Sequence, residues 1–157
     1  MKNIPRLLQL LSTDINGYDS DDDQGRNGLI KEEFLRLCRA VAKQLAKDLG
    51  MTENRGDGPN NFDIRTNRSG VAGSGSVTLH GEHIYIQLEQ GSFRDRFMFR
   101  SCEGRKDYTG GPNQWMKWTY LHAWDKAVAT FARFNQPKFV ICEPDPTRLA
   151  EALAHLR

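Results

Sequence analysis

The chain has 157 residues, with 22 Lys and Arg against 20 Asp and Glu, a formal net charge of +2, and 38% hydrophobic residues. That length corresponds to one domain, long enough to bury a core that needs neither metal nor disulfide. The near balance of charge excludes binding by bulk charge, whether as a strongly basic nucleic-acid arm or as an acidic DNA mimic.

In chain order, Ile4, Leu7, Leu8 and Leu11 recur at helical spacing, with Asn3 as N-cap and Pro5 in the first turn. Residues 12–27 follow as an acidic loop, solvated and with the composition of a mobile segment. It holds Asp14, Asp19, Asp21, Asp22 and Asp23 with no base before Arg26. The strongest helix is predicted from Leu29 to Leu49. Ile30, Phe34, Leu37, Cys38, Val41, Leu45 and Leu49 line one face, and Gly50 follows as the residue that ends it. Thr52 to Asn61 reads as a loop. Phe62 to Asn67 alternates as a strand, and the glycine-rich 70–75 segment leads to two more, Ser76–His80 and His83–Glu89.

These two flank Gly81-Glu82, a pair that suits a two-residue hairpin turn with positive φ at the glycine. That register pairs Leu79 with Ile84, Thr78 with Tyr85 and Val77 with Ile86, apolar to apolar and polar to polar. Arg96 to Cys102 is a further strand. After a loop at 103–114, Trp118, Leu121, Trp124, Val128 and Phe131 mark a helix that ends near Asn135. Phe139 to Cys142 reads as a short strand, and Leu149, Leu153 and Leu156 as the stripe of a last helix that starts at Asp145-Pro146. The order argues one α+β domain spanning residues 1–157. It is built on an antiparallel sheet of four to five strands, a meander packed on helices on one face.

Alternation fixes what the other face carries: Asp63, Arg65, Asn67, Ser76, Thr78, His80, His83, Tyr85, Gln87, Arg96, Met98 and Arg100. An antiparallel sheet ordinarily keeps one wet face, so a solvated surface explains these residues by itself. Arginine forks and aromatic rings on such a face are also what binds phosphates and stacks bases. Residues 101–115 are the second unusual feature. Arg105 and Lys106 are adjacent, and Tyr108 and Trp115 flank Gly110-Gly111. A structural connection and a basic binding loop both fit that composition.

Other signals are weaker. The stretch Asp23 to Phe34 resembles a calcium loop, but Gly25 stands at its third position and Phe34 at its twelfth, so no cation site is assigned. Gly70, Gly73 and Gly75 enter a strand rather than open a helix, which argues against a phosphate loop. No four-ligand zinc set is visible, and no cofactor is expected. No apolar run reaches the roughly 18–20 residues needed to span a bilayer, so no membrane partner is expected. Met1 to Leu11 lacks the features of a signal peptide. Cys38, Cys102 and Cys142 have no short spacing and read as buried free thiols, which places the protein in the cytoplasm.

The leading reading is a small binding or regulatory protein without catalytic chemistry. It presents Arg65, Tyr85, Arg96, Arg100, Arg105, Lys106, Tyr108 and Trp115 to nucleic acid or to a protein. The alternative is a metal-independent nuclease or nucleotide-acting enzyme using His83, Tyr85, Arg65 and Arg100, which requires a concave site that joins them. A third reading is an inhibitory protein with Phe93, Trp115 and Trp118 as exposed interface anchors. Sequence gives no oligomeric state.

Overall fold

Among the described residues six strands form one sheet, and their order across it is their order along the chain. The computed structural model describes residues 3–12, 26–53, 61–68, 74–91, 95–104 and 111–136. Helices α1 (Ile4–Leu11) and α2 (Arg26–Asp48) precede the sheet. The strands are β1 (Thr52–Glu53), β2 (Asn61–Asn67), β3 (Ser76–Gly81), β4 (Ile84–Glu89), β5 (Arg96–Ser101) and β6 (Gln114–Lys117). A 3-10 helix (Trp118–His122) and α3 (Trp124–Phe134) follow. Strands β2 to β6 are an antiparallel meander, with β1 added parallel to β2 through Thr52 opposite Asn61 and Glu53 opposite Phe62. The architecture is α+β with the helices on one face of the sheet.

Strand alternation builds the core. Val77, Leu79, Ile84, Ile86, Leu88, Phe97, Phe99 and Met116 point to the helical side and are buried. Helix α2 meets them with Phe34, Leu35, Leu37, Cys38, Val41, Ala42, Leu45 and Ala46. This buried stripe is broader than the predicted one because α2 packs against both the sheet and α1. From α1 come Ile4, Leu7 and Leu10, with Leu8 and Leu11 at the margin. An aromatic cluster closes the far end, with Trp118 4.8 Å from Phe97 and 6.1 Å from Phe34, and Phe131 5.1 Å from Phe99. Each fully buried apolar side chain of this size contributes about 1.5–3 kcal/mol.

Helix α2 ends where Gly50 predicts. Gly50 stands at φ 72°, its N–H bonds the Lys47 carbonyl at 3.0 Å, and the Met51 N–H bonds the Ala46 carbonyl at 2.9 Å. This is the paired capping pattern that a left-handed residue after a helix creates.

The hairpin of β3 and β4 forms, but in a different register from the predicted one. Leu79 faces Ile86, Thr78 faces Gln87 and His80 faces Tyr85, and the two turn residues are Glu82 and His83. Gly81 stays in the strand opposite Phe62. A Cβ on Gly81 would lie 2.7 Å from the Met51 methyl, so the glycine serves close packing of Met51 rather than a positive-φ turn. Two further readings are corrected. The predicted loop from Thr52 to Asn61 begins with strand β1. The predicted helix from Trp118 splits into the 3-10 turn and α3, and strand β6 precedes it. The Trp118 N–H bonds the Asp95 carbonyl at 2.9 Å, and Ala123, at φ −92° and ψ 62°, separates the 3-10 turn from α3. Trp118 and Leu121, three apart, are buried as a 3-10 turn requires.

The acidic segment before Arg26, the strand at Phe139–Cys142 and the helix after Asp145 lie outside the described residues. Among the described residues no helix is long and apolar enough to cross a membrane.

Candidate functional site

The sheet's other face is arranged in rows, because antiparallel pairing sets residues of successive strands side by side. One row runs Asp63, His80, Tyr85, Arg100. The next runs Arg65, Thr78, Gln87, Met98, Trp115. At the β5–β6 end, Arg96 faces Lys117.

Side chains within these rows hold one another. The Arg100 guanidinium lies over the Tyr85 ring at 4.9 Å, and the His80 ring meets Tyr85 edge-on at 5.1 Å. The Tyr85 hydroxyl donates to Gln87 Oε1 at 2.8 Å, and Gln87 Nε2 donates to Glu89 Oε1 at 2.6 Å. Thr78 Oγ1 is 2.7 Å from His80 Nε2. Arg100 Nη1 donates to Asn113 Oδ1 at 3.3 Å, while the Arg100 Nε–H is buried and has no acceptor. The Tyr85 ring is therefore covered by Arg100 on one side. It fixes that guanidinium by a cation–π contact rather than presenting a bare aromatic surface.

Trp115 is different. It is 46% exposed on β6, one of three large apolar residues exposed among the described ones, the others being Leu29 and Tyr120. Lys117, two residues on, is exposed on the same side of the strand. Arg96 lies beside Asp95, Nε to Oδ1 3.3 Å, with both side chains exposed. Arg65 is exposed on β2 opposite Thr78. Over this face Arg65, Arg96, Arg100 and Lys117 stand against Asp63, Glu89 and the Asp95 carboxylate beside Arg96, a local surplus of one positive charge.

Of the predicted binding residues, Tyr85, Arg96, Arg100 and Trp115 come together on β4 to β6, and Arg65 lies apart on β2. Arg105, Lys106 and Tyr108, like Phe93, lie outside the described residues. Of the alternative catalytic set, Tyr85 and Arg100 touch, while Arg65 lies three strand spacings from Arg100, about 14 Å across the sheet. His83 sits in the turn with Nδ1 3.4 Å from the Cys102 carbonyl oxygen. The anchor reading for Trp118 is also overturned, since that side chain is in the core.

Sequence reasoning missed Lys117 and Asn113 because their segment read as loop and helix start. The period-two burial of Met116 and Trp118 is the signal that could have found β6. It also missed a shallow groove of ≈ 650 Å³ on the helical side, lined by Asn3, Ala40, Lys43, Gln44, Lys47, Asp48 and Trp124. The Asp48 carboxylate there is taken up, accepting from Trp124 Nε1 at 2.7 Å and Gln44 Nε2 at 2.9 Å.

Cys38 is fully enclosed, and burial pushes its thiol well above the ordinary range, which makes it an inert core group. Among the described residues no three His, Cys, Asp or Glu side chains converge as metal ligands. Protein-family models, curated proteins and solved structures give no match to this chain, so the functional reading rests on the geometry of the site itself.

Proposed function

We propose that this protein is a non-catalytic nucleic-acid-binding module whose contact surface is the solvent face of the meander. One observation carries the reading: the cations Arg96, Arg100 and Lys117 surround a half-exposed Trp115 on adjacent strands. Positive charge interleaved with an accessible aromatic is the pairing that polynucleotide binding uses. A catalytic role is not favoured, because Arg65 stands about 14 Å across the sheet from Arg100, too far for both to hold one reacting phosphate. Placement in the cytoplasm belongs to the same reading and rests on the cysteine pattern alone.

A salt titration of binding to a mixed-sequence polynucleotide tests it. Affinity should fall linearly with log salt, and Lys117→Ala should make the slope shallower by about 0.7–0.9, the loss of one phosphate contact. Absence of binding at low salt overturns the reading and leaves the face to a protein partner. A slope untouched by Lys117→Ala also overturns it.

A further inference from the structure

We infer that the bound polynucleotide is single-stranded, with one unpaired base stacked on Trp115 and its neighbouring phosphates held on either side by Arg96 with Lys117 and by Arg100. This inference rests on the nucleic-acid reading above and specifies its ligand.

The shape of the surface comes first. Five antiparallel strands at about 4.8 Å spacing make a face about 19 Å across. A B-DNA major groove is about 12 Å wide and admits a helix or a two-stranded ribbon, so this face can meet a duplex only along its phosphate ridges. A duplex also keeps its base faces inside the stack, which leaves an exposed indole opposite sugar and water. A single strand offers a base face that can lie on the indole directly.

The charges are placed to match. Along β6 and β5, Trp115 pairs with Met98. The Arg96–Lys117 pair is two residues to one side, and Arg100 is two residues to the other. Two residues of strand span about 6.8 Å. A base on Trp115 therefore directs its 5′ and 3′ phosphates toward cations on both sides.

Arg100 suits this role because its bond to Asn113 is long at 3.3 Å, so the terminal nitrogens can turn to a phosphate; its Nε–H is buried and takes no part. Tyr85 beneath it and the Tyr85–Gln87–Glu89 chain hold the guanidinium in place, so Tyr85 is a positioning residue and Trp115 is the stacking one.

The test is anisotropy with labelled 12-mers of thymidylate and uridylate, alone and as duplexes with their complements, at one low salt concentration with the full chain. The single strands should bind at least tenfold more tightly than either duplex. Trp115→Ala should weaken single-strand binding about 5- to 150-fold and abolish the preference, while Trp115→Phe keeps most of it. Intrinsic tryptophan fluorescence should be quenched on binding in the parent and much less in Trp115→Phe. A thermal melt of Trp115→Ala near the parent's excludes misfolding as the cause. Duplex binding equal to or tighter than single-strand binding overturns this inference while leaving nucleic-acid binding intact. So does a Trp115→Ala variant of unchanged affinity. Failure to bind either form overturns the underlying reading instead.

Discussion

The register of β3 on β4 decides which side chains share a row with Tyr85 and Arg100, and a pair of cysteines tests it. In the structure Thr78 is directly opposite Gln87. Opposed residues of an antiparallel pair have Cβ atoms about 4.5–5.5 Å apart, within reach of a disulfide, whereas diagonal neighbours at about 7–8 Å are beyond it. Thr78→Cys with Gln87→Cys should therefore oxidise readily. Thr78→Cys with Tyr85→Cys, the pair favoured by a turn at Gly81-Glu82, should not. Each substitution removes polar contacts, since Thr78 bonds His80 and Gln87 bonds both Tyr85 and Glu89. Comparing the oxidised and reduced forms of the same variant cancels those losses. For a closed loop of about ten residues the chain-entropy relation gives about 2.7 kcal/mol of stabilisation. In a chain of this length that corresponds to a Tm higher by about 5–11 °C in the oxidised form. Intact mass after mild oxidation, with peptide mapping to set aside the native Cys38, Cys102 and Cys142, reads the crosslink, and paired thermal melts read its energy. Efficient crosslinking of positions 78 and 85, with none between 78 and 87, would refute the register and the row built on it.

Two further outcomes follow from the helical layer. Gly50 stands at φ 72° with nothing within 4 Å of an added Cβ, so Gly50→Ala costs only the left-handed conformation, about 1–2 kcal/mol in urea unfolding with an unchanged m value. Exposed ion pairs tie α2 to its neighbours. The Arg6 guanidinium hydrogen-bonds Glu33 and holds that carboxyl below its ordinary range, and Arg68 does the same to Glu32. Because both carboxyls are lowered in the folded state, their contribution is complete above the unfolded value of about 4.3 and is lost as pH falls through the lowered values. Urea midpoints followed from pH 6 to pH 3 should decline over that window, and Glu33→Gln should flatten part of the decline. A profile that Glu33→Gln leaves unchanged would remove the pair from the acid response.

The parts of the fold that were legible are those that a period determines by itself. Helix α2 was readable because Phe34, Cys38, Val41 and Leu45 repeat over several turns and Gly50 ends them. The two faces of β2 to β5 were readable because alternation assigns them without knowledge of pairing. Register was not readable for the same reason. A slip of two residues returns every side chain to its own face and again sets apolar opposite apolar, so the matched pairs of the Gly81-Glu82 hairpin did not discriminate. Gly81 instead packs closely on Met51, thirty residues earlier, a contact that no local pattern contains. The start of α3 failed through a coincidence of spacing. Trp118, Leu121 and Trp124 fit an α-helical stripe, but three-residue steps fit a 3-10 turn as well, and the strand before it is only four residues long.

That short strand also explains why the site is where it is. Positions 115 and 118 are an odd number of residues apart, so an extended chain through them sends the two tryptophans to opposite sides. Trp118 is claimed by the core, where it packs on Phe34 and Phe97. Its burial turns residue 115 outward, and Lys117, two positions on, is exposed on the same side. The fold thus accounts for the direction of Trp115. The charge balance leads to the same place. With a formal net charge of +2 the whole molecule attracts a polyanion only weakly, so any affinity must come from a local surplus of cations together with apolar contact. Among the described residues the face around Trp115 is where cations and an accessible aromatic ring coincide.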